Sequence, residues 1–334
     1  MSLLSNLIPP SFFMTQYPQE KVRLQWIDAL RAFAILLVVY GHHANTPVFS
    51  AFLNPVKMPL FFALSGYLFH IKAGGDKAFF KRTLRSLIIP WLSLTIIPLL
   101  FAIPFKGMDY VMTSIIRVLT GKQFWFMPCF IIANIIFYYI IKLTRNRQLP
   151  IVLCILAISA TGYVLRRYHI LDLCMINIAM MVQFYFLIGH LYKKYEKHLL
   201  GYFKQTGIVL LLCYLAIGVV FFPESKTDVH NALFHNLPLC MLMTTMGVAG
   251  LFMLSSTISN YPKWLLTVGK NSLVIYMFDT YMEIPVTLFY HFNDQLYIVT
   301  FFATIIYTAY SATMSIILAK FINKFFPWAT GHRG

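Results

Sequence analysis

Two ionisable residues stand in an apolar segment that has no obvious use for them. WIDALRAFAILLVVYGHH carries Arg31 near its start and His42 near its end. An arginine inside a membrane helix costs at least about 2.5 kcal/mol on insertion scales, so such residues mark ion pairs, pathways or active sites. Asp28, three residues before Arg31, can pair with it on the same face. Eleven residues separate Arg31 from His42. At about 100° per residue that is three turns plus about 20°, so both side chains face one direction, about 16.5 Å apart along the axis. Snorkelling explains such an arginine and an interfacial position explains such a histidine. The functional alternative is a histidine that accepts a proton, with a cation deeper in the helix. His43 points about 100° away from His42 and reads as structural or interfacial.

Other groups with chemical potential lie further along. Asp279 and Glu283, four residues apart, share a helical face, with Tyr276 beside Asp279. Two carboxylates in one apolar helix are expected to line an aqueous cavity. In KAGGDKAFFKRTLRSLIIP, Arg82 and Arg85 are three residues apart. Paired guanidiniums can fork phosphate oxygens, although basic residues at this place also fit ordinary positive-inside charge. Gly74 and Gly75 permit a tight turn ahead of them. Trp125 in QFWFMPCF is either part of an interfacial aromatic belt or a platform for a sugar. Ser65 and Gly66 allow close helix approach, and Asn271 or Ser272 can cap a helix. The remaining histidines form no ligand pair for haem. The five cysteines have no metal-ligand spacing and read as buried packing residues, so no metal site is expected.

The elements that hold these residues must be membrane helices. Of 334 residues, 59% are apolar and only 11% are charged, against about 25% charged in soluble domains. A soluble core cannot hide so much apolar surface. This excludes an ordinary cytosolic enzyme, a disulfide scaffold and a disordered chain. The apolar runs are long and continuous, not short and alternating, which argues against a β-barrel. The first twenty residues carry no cleavable signal pattern. The expected fold is all-α, a polytopic integral membrane bundle of about ten helices. The spans fall at roughly 26–45, 55–71, 86–105, 123–142, 149–166, 174–192, 206–222, 236–256, 265–289 and 296–320. Residues 1–25 and 321–334 are left as flanking segments around one domain, 26–320.

The net charge of +16 comes from short basic clusters between apolar runs, which favours membrane topology over nucleic-acid binding. With both termini cytoplasmic, nineteen Lys and Arg residues fall on inner segments and seven on outer ones. That bias supports cytoplasmic termini.

Together these segments resemble membrane-bound acyltransferase family 3. The resemblance rests on IDALRAFAILLVVYGHH, with the family's basic residue and histidine at Arg31 and His42, and on MPLFFALSGYLF. It also rests on FFKRTLRSLIIPW, with its Arg-x-x-Arg at Arg82 and Arg85, and on the pair FWFMPCF and GKNSLVIY. It covers the first third of the chain well and the rest at scattered points. The flavour is similar to the sugar O-acetylase branch typified by fucose 4-O-acetylase-like proteins. Two positions depart from it. Lys57 precedes Met58 where that branch often has histidine, and Asp279 stands where it often has histidine. If either shapes the acceptor pocket, the substrate differs from that of the nearest sugar acetylases.

The resemblance implies an enzyme of the cytoplasmic (inner) cell membrane, multi-pass and in contact with lipid. It would move an acyl group, usually acetyl, from cytoplasmic acyl-CoA to a hydroxyl of a surface or lipid-linked glycan. Acetyl-CoA is then the donor substrate. Arg82 and Arg85 would hold its phosphates, with Arg31 along the path of the pantetheine arm and the Asp28–Arg31 pair supporting that path. His42 would be the catalytic histidine, either as general base or as an acyl carrier. A transporter or acyl conduit without transfer chemistry is the rival reading, because intramembrane charges suit a permeation path equally well. The lack of an internal repeat counts mildly against that rival.

Overall fold

A computed structural model describes residues 24–43, 47–71, 74–101, 103–222, 226–287 and 297–330. The chain is helical nearly throughout. It runs α1 (Gln25–His43), α2 (Pro47–Leu68), α3 (Gly75–Thr83), α4 (Ile89–Phe101), α5 (Ile103–Lys106), α6 (Met108–Leu119), α7 (Phe126–Leu143), α8 (Gln148–Arg167), α9 (Ile176–Met181), α10 (Gln183–Leu199) and α11 (Phe203–Val220). A small hairpin follows, β1 (Thr227–Asp228) antiparallel to β2 (Leu233–Phe234). Then come α12 (Leu237–Ser256), α13 (Lys263–Lys270), α14 (Ser272–Thr287) and α15 (Tyr297–Phe325).

Among the described residues, six helical stretches are long and apolar enough to cross a membrane. A seventh is added if residues 173–198, bent by 46°, form one broken span. The protein is a multi-pass membrane protein of the all-α class. Helices occupy every segment read from the sequence as a span, but three of those segments are built differently. The third begins eleven residues earlier than expected, at Gly75 on the far side of a turn in which Gly74 and Gly75 have φ of 100° and 57°. Arg82 and Arg85 therefore sit on a helix that continues into the apolar run. Between α3 and α4 the helix widens, and the Ile89 N–H reaches back five residues to the Leu84 carbonyl. Pro90 follows directly; it has no N–H to offer Ser86, and its ring crowds that carbonyl, which a wider turn relieves. The sixth span is bent at Val182. Next to the bend, the buried Gln183 amide donates to the carbonyls of Ala133 and Ala179 at 3.0 and 2.9 Å. The ninth is broken at Asn271. Its side chain donates to the Thr267 carbonyl at 2.8 Å, so Asn271 closes α13 and does not cap α14.

Helix α2 packs most closely on α10. Gly66 faces the Phe186 carbonyl and Gly189 faces the Ala63 carbonyl, each at a separation that leaves no room for a Cβ. The small-residue contact expected at Ser65–Gly66 is thus reciprocal. Gly269 gives α13 the same backbone-to-backbone approach to α1 at Asp28. Phe62 on α2 meets Phe126 and Phe130 of α7 and Tyr185 and Phe186 of α10. This aromatic centre fixes α2 and α7, which carry the walls of the site.

The cysteines are not uniformly buried. Cys129 and Cys240 are, Cys174 and Cys213 are half-buried, and Cys154 is exposed on α8, whose apolar surface faces outward. In lipid an exposed thiol on an apolar face needs no partner, so the burial expected from a soluble core does not transfer. Residues 1–23 and 331–334 lie outside the described residues. Helix α15 continues to Phe325, and the turn Pro327–Thr330 then packs on α4, where the Ser93 hydroxyl donates to the Ala329 carbonyl at 3.1 Å.

Candidate active site

Helix α1 delivers two functional ends. At its start Asp28 is buried and its carboxylate lies 3.5 Å from the Arg31 guanidinium. At its end the His42 ring is half exposed. The side chain of His43 lies outside the described residues.

His42 Nδ1 lies 2.7 Å from Asp279 Oδ2 on α14. Asp279 is 3% exposed. Its other oxygen accepts hydrogen bonds from Ser311 at 2.7 Å and from Tyr307 at 3.1 Å, both on α15. Tyr307 also lies within reach of the Asp279 main-chain carbonyl at 3.0 Å. A buried carboxylate survives when its lone pairs are filled and a cationic or polarised partner faces it. Here one oxygen is held by two hydroxyls and the other is presented to the imidazole. A carboxylate on Nδ1 favours the tautomer with the proton there and leaves Nε2 as the acceptor. This is the base-and-orienter geometry of general-base catalysis.

The sequence carries a signal for Ser311. Thr304, Thr308, Ser311 and Ser315 recur at three- and four-residue intervals in an otherwise apolar helix, and all four are buried. Of these, Ser311 reaches Asp279, whereas Thr304 and Thr308 donate to the carbonyls of Thr300 and Thr304 on their own helix.

His42 lines a cavity of about 520 Å³. One wall is aromatic: Phe124, Tyr276 and Trp125, with Trp125 lying 4.8 Å from the His230 ring at an interplanar angle of 37°. Another wall is cationic, with Lys57 and Lys122. The hairpin closes a third side through Asp228, Val229 and His230. Asn54 on α2 ties that hairpin down by donating to the Thr227 carbonyl at 2.7 Å. Burial holds the His230 imidazole below its ordinary value, opposed by Asp228.

A second cavity of about 270 Å³ is lined by Arg31, Ser86, Lys270 and Ser272 among apolar side chains. Val38, Met58 and Tyr276 line both cavities. The two spaces therefore lie back to back, with Arg31 in one and His42 in the other. Arg82 and Arg85 line neither. Arg82 borders a small cleft with His70, Phe79 and Tyr138 and lies 5.9 Å over the Phe79 ring. Arg85 is exposed, but the next two residues, Ser86 and Leu87, line the Arg31 cavity. Glu283 sits half-buried one turn beyond Asp279 and lines neither cavity. Among the described residues no group of three His, Cys, Asp or Glu side chains is placed to hold a metal ion.

Of the residues singled out from sequence, the structure brings His42, Asp279, Tyr276 and Trp125 together, and joins Asp28 to Arg31. Lys57, marked in the sequence only as a departure from the family pattern, joins them, and Lys122, His230, Tyr307, Ser311, Ser86 and Lys270 are additions. No curated protein and no solved structure matches the chain. The profile of a family described as acyltransferase domain matches residues 24–320, almost the whole chain. That match takes in both His42, which lines one of the two adjoining cavities, and its partner Asp279, and the chain belongs to membrane-bound acyltransferase family 3.

Proposed function

We propose that this acyltransferase carries an acetyl group from cytoplasmic acetyl-CoA to a hydroxyl of a surface or lipid-linked glycan, across a bundle of ten spans with cytoplasmic termini. The observation that carries the proposal is the pair of cavities meeting at Val38, Met58 and Tyr276, with the His42–Asp279 pair on one side. A donor entering the Arg31 cavity and an acceptor in the His42 cavity would meet there. Neither substrate would have to cross the membrane.

In the proposed step His42 Nε2 takes the proton of the acceptor hydroxyl as its oxygen attacks the thioester carbonyl. The tetrahedral adduct collapses with cleavage of the C–S bond. The proton held on His42 then passes to the departing CoA sulfur, leaving acetyl ester and CoA thiol. Asp279 keeps Nδ1 protonated and offsets the charge that His42 acquires. Arg31 and Lys270 would accompany the pantetheine arm. Arg82 and Arg85 would bind the CoA phosphates outside the cavity; support is the adjacency of Arg85 to Ser86 and Leu87. Trp125 would carry a face of the sugar.

The test is purified protein with radiolabelled acetyl-CoA and glycans extracted from cells that lack it. Transfer without a second protein, lost in His42→Gln, is expected. Label that appears only when a separate transferase is added would overturn the proposal in favour of a conduit.

A further inference from the structure

The cationic wall of the His42 cavity has no role in the step just described. Lys57 is placed in a particular way. A Cβ built on Gly41 would come within 2.8 Å of Lys57 Nζ, so the ammonium lies over the main chain of the residue next to His42. Glycine at 41 leaves the space that it fills. Among the described residues Lys57 makes no hydrogen bond or ion pair, and the carboxylate that it feels electrostatically is Asp228. Asp228 is already engaged: its two oxygens accept from the Asn231 main-chain N–H at 3.2 Å and side-chain amide at 2.7 Å. Lys122 adds a second cation to the same cavity. Asp279 does not line this cavity; its oxygens face His42, Tyr307 and Ser311. The described lysine and carboxylate charges lining the cavity are two ammoniums against one carboxylate.

Lys57 is half-buried, and its ammonium carries a desolvation cost that an anion offsets; Lys122 is exposed and adds charge at the cavity's edge. Beside them is an aromatic wall suited to a pyranose ring. We infer that the acceptor is an acidic sugar, whose carboxylate or phosphate is bound by Lys57, with Lys122 assisting, while the neighbouring hydroxyl faces His42. This inference rests on the proposed acetyl transfer and names its substrate class.

The experiment separates extracted glycans into neutral and acidic pools by anion exchange. Each pool is incubated with purified protein and radiolabelled acetyl-CoA. Label is expected in the acidic pool. Reducing carboxyl groups to alcohols beforehand abolishes labelling if the anion is a carboxylate; removing phosphates abolishes it if the anion is a phosphate. Equal or greater labelling of the neutral pool, or labelling of the acidic pool that survives both treatments, overturns the inference and leaves acetyl transfer standing. No label in either pool overturns both. With the acidic acceptor, Lys57→Met should raise the acceptor KM about ten- to a hundredfold, the worth of one charge-assisted contact. The acetyl-CoA KM should hold. Lys57→Arg should recover most of the loss, and Lys122→Ala should show a smaller increase in the same constant. A Lys57→Met enzyme that binds acetyl-CoA normally and loses only kcat would assign Lys57 to the transition state and sink the anion-anchor role.

Discussion

At the scale of single residues, the partner of His42 decides what the histidine can do. Asp279 presents one oxygen to Nδ1, and its other oxygen is occupied by Ser311 and Tyr307 as donors. Replacing it with asparagine keeps the shape but not the polarity. Two hydroxyl donors would hold the amide oxygen on their side, turning the amide NH2 toward His42. The imidazole would then accept at Nδ1 and carry its proton on Nε2, which cannot act as a base. Asp279→Asn should therefore lower kcat by about 10²–10⁴, the range for loss of a general base, with acetyl-CoA affinity unchanged. His42→Gln should lose a similar factor, and the two changes together should cost little more than either alone, because the residues act as a unit. Strict multiplication of the two losses in steady-state kinetics would show that they act separately. The donor arginines make a second case. Arg82→Ala or Arg85→Ala should weaken acetyl-CoA binding about ten- to a hundredfold and leave acceptor KM alone. Lysine should rescue only in part, since it cannot fork a phosphate. Unchanged CoA affinity in both alanine variants would leave them as topology determinants.

Elements position these residues through backbone contacts as much as through side chains. A Cβ at Gly66 or Gly189 would run into a carbonyl of the facing helix, and main chain cannot rotate away as a side chain can. Gly66→Ala and Gly189→Ala should each destabilise by more than the about 1–3 kcal/mol typical of overpacking. The readout is thermal unfolding in detergent, with Gly201→Ala as control because a Cβ there meets nothing within 4 Å. The hairpin over the His42 cavity has a pH dependence of its own. His230 is held below its ordinary value of 6.5 by burial. Below 6.5 the unfolded chain binds a proton before the folded chain does, so this group's contribution to stability falls as pH drops through that value toward its lowered folded one. His230→Asn should flatten the decline of the unfolding temperature on acidification. An unchanged slope would place the acid sensitivity elsewhere.

The whole molecule divides into two faces of a membrane. With cytoplasmic termini, Lys77 on α3 and the hairpin at Lys226 lie on opposite sides. In a cysteine-free background, Lys77→Cys should react with an impermeant thiol reagent only after the cells are opened, and Lys226→Cys in intact cells. External labelling of Lys77→Cys would place Arg82 and Arg85 away from cytoplasmic CoA and undo the donor assignment. Among the described residues, six helical stretches, or seven with the bent pair, are long and apolar enough to cross a membrane. Helices α1 and α2 carry Asp28, Arg31, His42 and Lys57, and α14 carries Asp279 and Glu283. The apolar helix α15 meets them, giving Asp279 the hydroxyls of Tyr307 and Ser311.

The sequence by itself determined the class, the ordering of the helices and the family, because burial in lipid imposes long apolar runs that composition records directly. It also determined Arg31 and His42 as one face of one helix, since both belong to the same rigid element and eleven residues fix their geometry. It singled out Asp279 as costly in a membrane without saying what it served. Tertiary structure alone decided that. Residues 42 and 279 are 237 positions apart, and no local periodicity links them; the meeting depends on Gly269 letting α13 lie against α1 and on α15 supplying two hydroxyls. The same holds for Lys57, whose departure from the family pattern was visible in the sequence. Its proximity to His42 exists only because α1 and α2 pack with glycine at 41 between them.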